Sequence, residues 1–170
     1  NGTINLRGSW GTLPQVASSA VKIADGVGGL AGGTLGSLDQ FGYGVSSLGD
    51  LDGDGITDMA VGAGNNGNAY YVLFMNANGT VKSQQKLTNG QGGFSTTTVS
   101  LGRSLDSLGD LNGDGVPDIV AGDSGDATGG ASAGAIHILF MTATGTVQSQ
   151  TKIANGVGGL ATGTLIASDS

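Results

Sequence analysis

The sequence predicts an all-β chain assembled from four-stranded antiparallel units, and three observations carry that prediction. Glycine fills 35 of 170 positions and the thirteen acidic residues are all Asp, so helix-favouring side chains are scarce and turn-favouring ones abundant. Strand-sized clusters of Val, Ile, Leu and Phe separate the glycine stretches, a pattern foreign to disordered low-complexity linkers. The chain also repeats itself. Lys22-Ile23-Ala24-Asp25-Gly26-Val27-Gly28-Gly29-Leu30 returns as Lys86-Leu87-Thr88-Asn89-Gly90-Gln91-Gly92-Gly93-Phe94 and as Lys152-Ile153-Ala154-Asn155-Gly156-Val157-Gly158-Gly159-Leu160, at spacings of 64 and 66 residues. A period of that length holds four short strands and their turns.

Taken in order, residues 1–40 read as a partial unit followed by a glycine-rich connection. Two short strands are expected in residues 1–21, where Asn1-Gly2-Thr3-Ile4 echoes Asn78-Gly79-Thr80-Val81 and an insertion carries Trp10 and Pro14. Trp10 stands alone among aromatics there and is read as a packing or interface residue. The first complete unit spans residues 41–87. Its first strand opens at Phe41 and alternates through Tyr43, Val45 and Leu48; its second is Asp58–Gly62. The third, Ala69–Met75, is β-branched and aromatic and ends at Asn78-Gly79, a hairpin signal. The fourth, Thr80–Leu87, has one wholly polar face, as an outer strand would. Residues 88–153 hold a second connection and a second unit, with strands from Leu101, at Ile119–Gly122, at Ala135–Met141 and at Thr146–Ile153. Phe74 and Phe140 are equivalent in the repeat and are expected to fill the layer between sheets, at about 2 kcal/mol each when buried. Residues 154–170 begin a further repeat.

Between the first and second strands of each unit lies an acidic nonapeptide. Residues 50–58 read Asp-Leu-Asp-Gly-Asp-Gly-Ile-Thr-Asp, and residues 110–118 read Asp-Leu-Asn-Gly-Asp-Gly-Val-Pro-Asp. Side-chain oxygens at positions 1, 3, 5 and 9, a backbone carbonyl at 7 and a glycine at 6 make the oxygen shell that a hard cation such as Ca²⁺ requires. The candidate ligands are Asp50, Asp52, Asp54, Ile56 (carbonyl) and Asp58 in the first loop, and Asp110, Asn112, Asp114, Val116 (carbonyl) and Asp118 in the second. Without a counter-ion, so many carboxylates in nine residues would repel one another. An EF-hand is excluded: position 12 is Val61 or Ala121 in place of Glu, and the residues that follow suit a strand.

Phe41-Gly42 precedes the first loop and Gly62-Ala63 follows it. That frame resembles the FG-GAP repeat, the blade unit of the integrin alpha-subunit β-propeller and of many bacterial surface proteins; the resemblance covers roughly residues 22–153. The second copy departs from it: Leu101 replaces Phe, Asn112 replaces Asp, and Gly122-Asp123 replaces Gly-Ala, so its site is expected to bind metal more weakly. The resemblance implies β-propeller-type four-stranded blades, two complete plus partial ones. Since propellers close with about four to eight blades, the sheet array is open or completed by assembly. Two sources of further blades are expected: the remainder of a longer chain, or copies of this one added head to tail, which gives rings or filaments. The near identity of residues 152–165 with 22–35 suits the latter.

The charge of −7 comes largely from the loops, which hold seven of the thirteen acids; two Ca²⁺ would bring it to −3. Six scattered Lys and Arg form no basic stripe, which argues against nucleic acid and anionic membranes as partners. No apolar run reaches membrane-spanning length, and there is no Cys for disulfides or thiolate metal sites.

No feature of the sequence supports catalysis. His137, equivalent to Tyr71, is expected as a half-exposed strand residue, with no Gly-x-Ser-x-Gly elbow to serve. Asp123 and Asp126 are read as a solvated loop, and Asp25, Asn89 and Asn155 as turn residues. Asn1-Gly2-Thr3 and Asn78-Gly79-Thr80 match the glycosylation sequon but are read as turns, and no glycine phrase leads into Gly-Lys-Ser/Thr as a phosphate loop does. The expected function is therefore an extracellular, calcium-binding structural or adhesion module that is not an enzyme, with a protein or glycan ligand. The alternative is a non-catalytic propeller piece of a larger secreted enzyme or adhesin. Extracellular calcium modules bind at about 10⁻⁴ to 10⁻³ M, too weakly for the cytosol.

Overall fold

The computed structural model describes residues 20–66, 68–95 and 100–165. The strands and the turn expected within residues 1–19, and Trp10, lie outside them. Eight strands are present among the described residues: β1 (Phe41–Gly49), β2 (Asp58–Ala63), β3 (Ala69–Met75), β4 (Val81–Leu87), β5 (Leu105–Gly109), β6 (Asp118–Asp123), β7 (Ala135–Met141) and β8 (Val147–Ala154). They form two antiparallel four-stranded meanders, β1-β2-β3-β4 and β5-β6-β7-β8. The fold is all-β, two open blades of propeller type, with no helix among the described residues. No helix there is long and apolar enough to cross a membrane.

The sheets stack face to face. Tyr70, Val72 and Phe74, on one face of β3, meet Ile119, Ala121, Leu139 and Met141 of the second sheet, with Leu48, Leu51, Phe94 and Leu101 completing the core. The opposite face of the first sheet, with Val61, Tyr71, Leu73 and Met75, is covered by its own connection through Ile23, Leu30 and Leu35. β5 lies against β1 and β2, and Ser46 Oγ donates to Asp106 Oδ1 at 2.7 Å across that contact.

The first two glycine phrases each clasp the fourth strand of the unit that follows them. The Val81 and Val147 N–H groups donate to Gly28 O and Gly92 O, both at 2.8 Å. A Cβ on Gly29 would lie 2.2 Å from Val81 O, and one on Gly93 2.1 Å from Val147 O, so only glycine fits this backbone crossing.

Three expectations change. The second unit's first strand begins at Leu105, not at Leu101. Gly102, at φ +82°, runs against the carbonyls of Ala63 and Ala69, and this close approach turns the buried Leu101 into the core instead of into the ladder. Phe140 is only half-buried and lies outside the inter-sheet core, where Leu139 and Met141 take its place. Finally, His137, Asp123 and Asp126 are buried, not solvent-facing. His137 Nε2 lies 3.5 Å from Asp123 Oδ2, and the imidazole meets Phe94 edge to face at 5.6 Å. Asp126 accepts from the Thr128 N–H at 2.8 Å and pairs with Lys152. Burial pushes its pKa up, but the bonds from Lys152 and Thr128 more than offset this and the net shift is downward.

Candidate metal centre

Both acidic loops fold around their first aspartate. Asp50 accepts the N–H groups of Asp54 and Gly55, both at 2.9 Å, and Asp110 accepts those of Gly113, Asp114 and Gly115 at 2.7–3.0 Å. Position 3 repeats the motif: Asp52 and Asn112 accept the Asp54 and Asp114 N–H groups at 3.2 and 2.9 Å. Gly55 and Gly115, at φ +86° and +88°, hold the left-handed backbone that lets the loop close in so few residues.

The last carboxylate of each loop ties it to the sheet. Buried Asp58 accepts from the Leu51 N–H at 3.0 Å and from the Met75 N–H at 2.9 Å. Asp118 does the same for Leu111 and Met141, both at 3.0 Å. Desolvation raises the Asp58 pKa; the two backbone N–H groups pull in the other direction, and neighbouring Asp52 adds to the rise.

Of the predicted ligand residues, Asp50, Asp52 and Asp58 come together, each offering an oxygen within 4.8 Å of the others. Asp54 is not one of this trio: its carboxylate accepts from the Ile56 N–H at 2.9 Å and shares the Lys82 ammonium with Asp52. In the second loop Asn112 occupies the middle position of the equivalent trio, and its amide donates to Asp114 Oδ2 at 2.9 Å. The Ile56 and Val116 side chains pack against the two cores, which sets the loop ends relative to the sheets.

Sequence reasoning missed Lys82. Its ammonium reaches Asp52 at 2.7 Å and also Asp54. Its hydrogen bond holds the Asp54 pKa down, and the two carboxylates raise its own. A cation therefore already stands over this oxygen set, and the donors are all the hard oxygens that Ca²⁺ favours.

Residues 50–121 match the FG-GAP-like repeat family. This chain is an FG-GAP repeat protein. It is 31% identical over 126 residues to chicken (Gallus gallus) integrin alpha-V, an alignment covering 70% of this chain and 12% of the integrin. Over 91 residues it is 35% identical to mouse (Mus musculus) integrin alpha-2, covering 51% of this chain and 8% of the integrin. Over 90 residues it is 38% identical to Xenopus laevis integrin alpha-5, covering 51% and 9%. The FG-GAP chain thus spans about a tenth of the length of the curated relatives it matches.

Proposed function

We propose that this FG-GAP chain is an extracellular structural or adhesion module whose two loops each hold a structural Ca²⁺. The observation that carries the proposal is the convergence of Asp50, Asp52 and Asp58 at the mouth of the β1–β2 hairpin, in a loop frame repeated at residues 110–118. Asp50, Asp52, Asp54, the Ile56 carbonyl and Asp58 would hold one ion. Asp110, Asn112, Asp114, the Val116 carbonyl and Asp118 would hold the other. The metal would supply charge neutralisation and would brace each hairpin, with no catalytic part. At tenfold excess over its dissociation constant, each ion adds about 1.4 kcal/mol to folding. Similarity to integrin alpha subunits supports the adhesion and cell-surface reading.

The partner in this reading is a further blade, supplied by a longer chain or by a second copy. Leu108, Leu111 and Ile136 are exposed on the second unit, at positions equivalent to Leu48, Leu51 and Tyr70, which are buried in the first. A protein or glycan ligand is also part of the proposal.

Isothermal titration of the metal-free protein with CaCl₂ tests the metal reading. Two binding events are expected, with a melting temperature that rises in millimolar calcium and falls with chelator. Absence of heat together with an unchanged melting temperature would overturn it. Light scattering in millimolar calcium tests the assembly reading, which a monodisperse monomer would oppose.

A further inference from the structure

The side-chain ligands of the two loops differ at one position, Asp52 against Asn112, and the structure joins that difference to another one thirty residues away. β3 pairs with β4 as Phe74↔Ser83 and then Met75↔Val81, so Lys82 is the extra residue of a β-bulge. The second sheet keeps the same bulge, Phe140↔Ser149 and then Met141↔Val147, with Gln148 as the extra residue. A bulge takes its side chain off the regular pleat and re-aims it. In the first sheet the re-aimed ammonium bridges Asp52 and Asp54. The exchange is paired. Where the loop has an additional carboxylate the bulge carries Lys, and where the loop has the neutral Asn the bulge carries the neutral Gln. Four carboxylates with one ammonium, and three carboxylates with none, leave each site at −3.

We infer that Lys82 is a resident counter-ion of the first loop, which competes with a divalent cation for Asp52 and Asp54 and holds the loop together when the metal is withdrawn. The inference rests on the calcium reading and deepens it. It also revises the ranking of the two sites: counting only the residues within each loop makes the second the weaker binder, whereas counting the bulge residue brings them level. An ordinary surface ion pair would not have this effect, because it would stabilise the fold without opposing the metal. The groups facing Lys82 are Asp52 and Asp54, each of which also accepts a backbone N–H within the loop. An arriving dication therefore has to displace only the ammonium, not the loop.

Calcium titrations of the full chain, followed by the amide resonances of Gly55 and Gly115, read the two loops separately. Lys82→Gln should tighten the Gly55 midpoint about tenfold at low salt, the effect of removing one positive charge roughly 5 Å from a dication, and leave Gly115 unchanged. The same variant should melt at a lower temperature than wild type in chelator, so that affinity and metal-free stability move in opposite directions. Gln148→Lys, at an exposed position, should weaken the Gly115 midpoint by a similar factor. It decides the question by itself should Lys82→Gln fail to fold. A Gly55 midpoint equal to or weaker than wild type in a folded Lys82→Gln protein would overturn the role of Lys82 alone. If neither glycine responds to calcium in any variant, the calcium reading falls and takes this inference with it.

Discussion

Tyr70 offers the most discriminating test of how the two blades are held together. Its ring is buried in the layer between sheets, and its hydroxyl donates to Gly122 O at 3.0 Å and Ser104 O at 3.3 Å, both in the second unit. Tyr70→Phe keeps the ring and removes that link, at a cost of about 1 kcal/mol near neutral pH. The alkaline behaviour reverses the order. Burial, with a smaller contribution from Asp123, raises the phenol from 10.0 to about 12. The folded state therefore keeps the proton after the unfolded chain has begun to lose it. Wild-type stability from this group is complete below pH 10 and is lost progressively as pH rises toward 12. At pH 11 the loss is about 1.4 kcal/mol, more than the hydroxyl contributes at pH 7. Urea denaturation followed by circular dichroism at pH 7, 10 and 11 should show wild type the more stable at pH 7 and the variant equal or better by pH 11. Lysine titration is common to both proteins and cancels in the difference. A stability gap independent of pH between 7 and 11 would refute the buried, protonated phenol bridge.

Two further predictions each contrast a pair of positions, one adjacent and one equivalent in the repeat. Leu139→Ala, in the inter-sheet core, should cost about 2–5 kcal/mol by denaturant titration, and Phe140→Ala clearly less despite its larger side chain, because Phe140 lies outside that core. Gly93→Ala should prevent the phrase from seating on Val147 and lower the melting temperature by many degrees. Gly159→Ala, whose Cβ meets nothing within 4 Å, should cost only about 1–2 kcal/mol of left-handed backbone strain.

Sequence legibility tracked how local each feature is. β3 and β7 were readable to the residue because each is a seven-residue run rich in β-branched and aromatic side chains, broken only by His137 in β7 and bounded by turn residues. The loop frames were equally plain, since their glycines and aspartates bond to one another within nine residues. What escaped was set by contacts across the repeat. Lys82 looked like one of several polar residues on an outer strand, and only the bulge sends it to the loop. Gly102 looked like strand until the backbone of Ala63 and Ala69 approached it. The buried His137, Asp123 and Asp126 form a polar cluster in the second unit where the first has Tyr71 at the histidine position and Ala63 at that of Asp123, so the repeat itself offered no template.

The expectation of an inter-sheet phenylalanine held for Phe74 and failed for Phe140, for a geometric reason that extends along the repeat. Equivalent residues of stacked repeats project in the same direction, so the interface between two sheets takes one face from the first and the opposite face from the second. Tyr70, Val72 and Phe74 therefore meet Leu139 and Met141, while Ile136, Ile138 and Phe140 stay outside that core. The same rule explains why Leu48 and Leu51 are buried but Leu108 and Leu111 exposed. Such an interface joins unlike faces, and each added blade recreates the surface it covers. The acidic loops are attached to this packing. Asp58 and Asp118 bond to the N–H groups of Met75 and Met141, at the ends of the strands that carry the core. A metal held by those aspartates would consequently brace the strand ends and the stack together, so its loss should lower the cooperative unfolding of the blade and not merely loosen a surface turn.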